Sequence, residues 1–477
     1  MAIHRTFDLR TLLAFNVTGA RRTSGALAAL AVAGLLTPAA AQAKHRKPEL
    51  TRIRCVPAST AKCKSGVNVE IGRQLQISGK RLAKGMRVSF RWPKGALAAK
   101  LEHTRVGYIV RVPPGTKAGQ VSVTVSDRAG RRSNVKRIRV APVPKVGGNA
   151  PARGTLPPVF AGNGMWIWEL AKAEGGNPAA IAAKAHAYGI ATVFIKSADG
   201  AGTFNNQFTP ELVAALHANG LRACAWQYVY GADPLGEAAQ ATAAIRAGAD
   251  CFVIDAEKQY EGRYAQAQQY LAALRGQIGP GYPIGFTSFP YVHYHPKLPY
   301  SVFLGPNGAQ ANLPQVYWKD IGDTVDAASA LTLAHNRIYG TAIAPLGQAY
   351  NNPAPADVSR FRAIWAGYGS GGVSWWSWQH ATDATWAAIG PAAVAPIPFA
   401  DPGWPALSLG NKSDEVVWLQ QHLASYDPAV VVNGSFDAAT DAAVRRLQAE
   451  KGIEDTGTTD PQTWAAVLGL PLKPVTW

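Results

Sequence analysis

The sequence predicts a multidomain chain: a small β-sandwich, then a (β/α)8 TIM barrel, then a three-helix bundle. Three observations carry this reading. Residues 44–143 repeat short period-two apolar runs separated by turn residues. Residues 158–392 alternate eight apolar strand-like runs with helical patterns. Residues 403–470 place apolar side chains at helical spacing behind capping residues. The 477 residues suit two to four domains, and 47% hydrophobic against 16% charged residues supplies their cores.

Residues 1–43 read as an export signal. Arg21-Arg22 precede an apolar run over 27–36, and small residues follow, ending Ala41-Gln42-Ala43. The run is about half of what a spanning helix needs, which disfavours the alternative of an uncleaved anchor. The mature chain is expected to begin near Lys44, outside the cytoplasm, with membrane contact only through the signal. Cys55 and Cys63, eight residues apart, then suit a disulfide. Cys224 and Cys251 lie in two later apolar runs and read as buried thiols, with a second bridge as the alternative.

The formal charge of +18 is uneven. Residues 44–150 hold 25 Lys and Arg against four Asp and Glu, whereas residues 151–477 hold 19 against 25. The basic character thus belongs to the first domain. Its strand-like runs include Arg87-Val88-Ser89-Phe90, Gly107 to Val112, and Val121-Ser122-Val123-Thr124-Val125. Pro113-Pro114-Gly115 and Arg128-Ala129-Gly130 supply turns. With Leu75-Gln76-Ile77-Ser78-Gly79, Val112 to Thr116 and Ser133-Asn134, the block resembles immunoglobulin-like IPT/TIG domains. Its cations suit an anionic wall polymer, or form a solvated face with no dedicated ligand. Nucleic acid is not an expected partner of an exported chain. Residues 144–157 read as a linker.

In the central block, strands are expected over 165–170, 191–197, 221–228, 251–257, 283–289, 313–318, 340–347 and 372–378. Helices are expected over 178–188, 210–219, 236–247, 263–276, 324–335 and 355–368, with a last one over 385–389. The connection over 290–312 has no helical period. Barrel sites form at the C-terminal ends of strands. This chain puts Trp168 and Glu169 there, then Lys196 and Asp199, Trp226 and Tyr228, Asp255 and Glu257, Gln315 and Trp318, Gln348, and Trp376 and Trp378. Aromatic planes take the C–H faces of sugars, and amides and carboxylates take their hydroxyls, so this rim suits carbohydrate. Barrel packing is the alternative for the tryptophans.

Asp255-x-Glu257 is the sharpest candidate. Residues i and i+2 of a strand face one side, so both carboxylates enter the barrel mouth. Like charges at that range raise one pKa. Glu257, nearer the strand end, is expected to protonate a glycosidic oxygen while Asp255 raises its pKa and orients it. On a 2-acetamido sugar, Asp255 would position that group as nucleophile. The alternatives are a structural pair with Lys196, and ligand binding without turnover. No metal or cofactor is expected.

The stretches Phe194 to Gly200, Ala223 to Tyr228 and Val253 to Glu257 resemble the barrel of family 25 glycoside hydrolases, the lysozyme-like muramidases. The resemblance implies that Glu257 is the acid and Asp255 its partner. The tryptophan-ended run Val373 to Trp378 is similar to the last strand of family 18 chitinases, which implies that Trp376 or Trp378 floors a sugar subsite. The family 25 opening D-x-S/Y-x-Y/W-Q is absent. Met165-Trp166-Ile167-Trp168-Glu169 stands there instead.

After a Pro-rich linker over 393–402 comes Leu409-Gly410-x-x-Ser413-x-x-Val416-x-x-Leu419-Gln420-x-x-Leu423. Asn433-Gly434-x-Phe436-Asp437-x-x-Thr440-x-x-Ala443-Val444-x-x-Leu447-Gln448 follows, then Thr456-Gly457 and Asp460-x-x-Thr463-Trp464. Asp437 reads as one N-cap, and Asp460-Pro461 as a second with proline in the first turn. The pattern resembles the peptidoglycan-binding type 1 domain, with residues 471–477 left as a tail. The resemblances together imply a secreted, wall-associated protein whose partner is peptidoglycan or a related glycan.

Overall fold

The computed structural model describes residues 46–55, 68–69, 74–105, 107–113, 116–140, 154–391 and 394–477. The segment read as an export signal lies outside the described residues. So do Cys63 and the Cys55 side chain, and with them the expected Cys55–Cys63 pairing.

Alternation builds the first domain as two sheets. One orders Glu49–Cys55, Gln74–Lys80, Gly107–Arg111 and Glu102–Thr104. The other orders Asn68–Val69, Lys136–Val140, Gly119–Ser126, Arg87–Trp92 and Gly95–Lys100. Pairing is antiparallel except at Asn68–Val69. Val121, Val123 and Val125 are buried while Ser122 and Thr124 between them are partly exposed. Those valines meet Leu75, Ile77 and Phe90 in one core between the sheets. The Ala-rich strand Gly95–Lys100 had no readable period in the sequence.

The central sheet is parallel. Gly162–Ile167, Ile190–Asp199, Arg222–Val229, Phe252–Ala256 and Ile284–Thr287 pair in sequence order. The sixth run is Ala311–Asn312 with Gln315–Val316, and the seventh is Ala342–Ile343 with Leu346–Gln348. Pro314 and Pro345 interrupt them because proline has no N–H for the ladder. Pairing continues through these to Gly372–Trp376, which pairs with the first strand and closes the ring. The sixth strand starts and stops earlier than expected, since Trp318 already opens the helical turn Trp318–Ile321.

Helices Pro178–Ala187, Pro210–Ala218 and Pro234–Arg246 follow the first three strands. Each begins with proline behind a capping side chain, Asn177, Thr209 and Asp233 respectively. Tyr264–Ile278, Val325–Asn336, Pro355–Gly367 and Asp383–Ile389 complete the outer layer. Between the fifth and sixth strands stand only the short turns Val292–Tyr294 and Tyr300–Phe303.

Cys224 and Cys251 are joined in a disulfide, Cα to Cα 4.7 Å, which corrects the expectation of two thiols. The parallel register sets Ala225 beside Phe252, so the residues just before them also meet. Both cysteines belong to the barrel interior with Trp166, Phe194, Trp226 and Val253.

The C-terminal bundle comprises Asp414–Tyr426, Ala438–Glu450 and Pro461–Leu468. Ser413, Asp437 and Asp460 cap the three helices, the last two as read from sequence. The motif glutamines are fully buried and pin loops. Gln420 accepts from the Gly434 amide at 2.8 Å, and Gln448 from the Gly457 amide at 2.9 Å.

The first bundle helix packs where the barrel lacks a long helix. Buried Asp414 accepts from the Ser301 amide at 2.8 Å and from the Ser301 and Tyr339 hydroxyls at 2.7 Å each. Glu415 meets His335 at 2.6 Å, and the Trp418 indole donates to the Ile338 carbonyl at 2.8 Å. The segment read as a tail returns to the barrel, where Trp477 lies against Tyr264 and its amide donates to Gln268 at 3.0 Å.

Candidate active site

Strand four aims its carboxylates inward. Phe252, Ile254 and Ala256 pack among the outer helices, whereas Cys251 and Val253 line the interior. Asp255 continues the inward set and is 7% exposed. Glu257, just past the strand, is partly exposed. One Gln315 amide nitrogen donates to both, at 3.2 Å to Asp255 and 3.0 Å to Glu257.

Burial first, then the neighbouring Glu257 charge, pushes the Asp255 carboxyl well above the ordinary carboxylate range. Burial also raises Glu257, and the hydrogen bond from Gln315 holds it back. Sequence reasoning made Glu257 the raised member of the couple. Both members are raised, Asp255 the further, because hydrogen bonds from Gln315 and Tyr228 favour the charged form of Glu257.

Lys196 is buried in an aromatic box. Its ammonium lies 4.4 Å from the Phe204 ring centre, 5.0 Å from Trp226 and 5.9 Å from Trp168. It pairs with Asp199 at 2.6 Å rather than bonding to Asp255, and its charge still pulls the Asp255 pKa down. The Tyr230 hydroxyl donates to the other oxygen of Asp199 at 2.6 Å, and burial together with that bond pushes its pKa up to about 12. The Tyr228 hydroxyl donates to Gln259 at 2.6 Å, and burial and the nearby carboxylates keep it protonated.

Trp376 is partly exposed at the mouth, with its ring 5.3 Å from Trp226 and 6.4 Å from Trp168. Trp226 is buried as the floor, its indole donating to the Ile167 carbonyl at 3.2 Å. The structure therefore gathers Asp255, Glu257, Gln315, Lys196, Asp199, Tyr228, Trp168, Trp226 and Trp376.

Four expected residues stand apart. Trp318 and Trp378 lie in the helical layer, Trp318 stacked on Phe361 and Trp378 edge-on to Trp386. Gln348 is fully buried and holds the loop after strand six by accepting from the Lys319 amide at 2.9 Å. Glu169 pairs with Lys172 at 2.9 Å. The sequence reading passed over Tyr230, Phe204 and Gln259. Tyr230 was open to the period-two rule from Tyr228; Phe204 and Gln259 stand beyond the ends of strands two and four, where only the fold defines the path of the chain.

Residues 412–467 match the family model described as "Putative peptidoglycan binding domain". The C-terminal domain is thus of the peptidoglycan-binding type, behind a (β/α)8 barrel. No curated protein matches the chain. Among solved structures it is similar to a chitinase from Chromobacterium violaceum ATCC 12472, at 13% identity over 48% of this chain and 98% of that one, TM-score 0.35. It is also similar to the spore cortex-lytic enzyme SleL of Bacillus cereus, at 10% over 53% and 76%, TM-score 0.36. A third is a dihydrodipicolinate synthase from Agrobacterium tumefaciens, at 15% over 46% and 70%, TM-score 0.30. Likenesses this distant carry no argument about chemistry.

Proposed function

We propose that the chain is an exported, wall-associated glycoside hydrolase acting on wall glycan, with the C-terminal domain holding it to peptidoglycan. The observation that carries this reading is the Asp255–Glu257 couple, bridged by one amide at the mouth of an aromatic-walled barrel. Burial pushes both carboxyl pKa values up, Asp255 the further, which favours one proton shared within the couple. Asp255 keeps it in the resting state. A sugar that takes the place of the Gln315 amide draws it outward through Glu257 to the glycosidic oxygen as the C1–O bond breaks. On a 2-acetamido sugar, Asp255 then orients the acetamido oxygen towards C1, and Glu257 later takes a proton from the water that completes hydrolysis. Trp376 and Trp168 give the sugar its stacking surface. The internal Cys224–Cys251 disulfide suits an oxidising compartment and so supports export. Tethering raises the local concentration of substrate.

A sugar-binding barrel without turnover is the second reading, favoured by the 7% exposure of Asp255. The purified protein and its Glu257→Gln variant separate the two when reducing-sugar release is followed on peptidoglycan and on chitin oligomers. The expected result is release by wild type and a loss of about 10² to 10⁴-fold in the variant. No release by wild type on either glycan leaves the binding reading. Equal release by both removes Glu257 from the mechanism.

A further inference from the structure

The inward set Val88, Phe90, Val121, Val123, Val125 and Ile138 fixes what the five-stranded sheet shows outside. Alternate residues face away, and on the strands Arg87–Trp92, Gly119–Ser126 and Lys136–Val140 they are mostly basic or hydroxylic. Arg87 and Arg91 stand on one strand, and Arg137 and Arg139 on another, all exposed. Register places Arg91 beside Ser122 and Ser122 beside Arg137, a row across three strands. Two strand spacings make the guanidinium bases of that row about 10 Å apart. Arg87 sits beside Lys100, and Arg139 beside Gln120. Among the described residues, none of these five cations has an ion-pair partner, while Asp127 and Glu49 pair with Arg131 and Arg81 at the margins.

We propose that this arginine-lined outer face of the five-stranded sheet binds an anionic phosphodiester polymer of the cell wall. The proposal rests on the wall-associated reading and adds a second, charge-driven attachment. Fixed cations in rows suit a repeating anion, and arginine offers paired donors to phosphate. The face is a sheet surface with no projecting helix, so it fits an extended chain rather than a nucleic-acid groove. Ala96 and Ala98 complete it, and Trp92 packs against the inner core, so it has no aromatic platform for bases.

Binding of the full chain to immobilised poly(glycerol phosphate) tests this at about 50 and about 200 mM salt, with sedimentation on polymer-free sacculi run in parallel. Wild type is expected to bind with a steep salt dependence. Arg91→Glu with Arg137→Glu is expected to lose at least about tenfold in affinity and flatten that dependence. Arg91→Gln with Arg137→Gln is expected to fall between, which guards against a folding defect. Arg52→Glu with Arg54→Glu, on the other sheet, is expected to keep most of the affinity. No binding by wild type, full binding by the double reversal, or an equal loss in the control pair overturns the proposal. So does equally tight binding of duplex DNA of matched charge. The sacculus arm reports on the C-terminal domain separately, so either attachment can fail alone.

Discussion

Gln315 holds both members of the acidic couple through a single nitrogen, and its two bonds have opposite consequences. They keep the carboxylates in place, and they favour the charged form of Glu257. Removing the amide therefore raises the Glu257 pKa. A general acid works while protonated, so the alkaline limb of the pH–rate profile of Gln315→Ala is expected to move to higher pH. A profile of kcat/KM against pH on a chromogenic chito-oligosaccharide reads this directly, and an unmoved limb would mean that Glu257 is not the titrating acid. Lys196 belongs to the same balance. Sequence offered it as a salt-bridge partner for Asp255, but the turn at Asp199 brings a carboxylate 2.6 Å away, and Lys196 acts on Asp255 only through space.

At the scale of elements, the interrupted helical layer is the informative feature. Neither Val292–Tyr294 nor Tyr300–Phe303 can cover the barrel between strands five and six. The first bundle helix covers it instead, with Trp418 inserted beside Tyr339. Trp418→Ala is expected to cost about 3 to 5 kcal/mol, the range for losing a large buried aromatic. It is also expected to split calorimetric unfolding into separate barrel and bundle transitions. A single transition at the wild-type temperature would show that this contact does not couple the domains. Nothing in the sequence points to the docking, because the helical period of 414–426 accounts for burial without saying against what.

At the scale of the whole molecule, the bundle that we propose as the tether also covers part of the barrel. Deleting residues 403–477 would bare Tyr339, Ser301 and Ile338, all buried beneath it. The shortened chain is expected to melt roughly 10 °C lower and to self-associate, as read by scanning fluorimetry and light scattering. An unchanged melting point would mean that the barrel closes without its cover. Loss of wall binding in such a deletion therefore does not isolate the tether, and point changes in the full chain are the cleaner instrument.

Composition and period alone determined the order of domains, the eight-run barrel, the caps at Asp437 and Asp460, and the pairing of Asp255 with Glu257 on one side of a strand. These are local consequences of chain geometry, and they survive without knowledge of neighbours. Only the tertiary structure decided which strand-end residues converge, since Trp318 and Trp376 look alike in the sequence and stand on opposite sides of the barrel wall. It also decided that Cys224 meets Cys251, that Gln315 reaches both carboxylates, and that the distant helix Asp414–Tyr426 covers the barrel between strands five and six. The physical reason is the same in each case: register between strands and packing between domains join residues distant in the chain, and no periodicity within one segment encodes them.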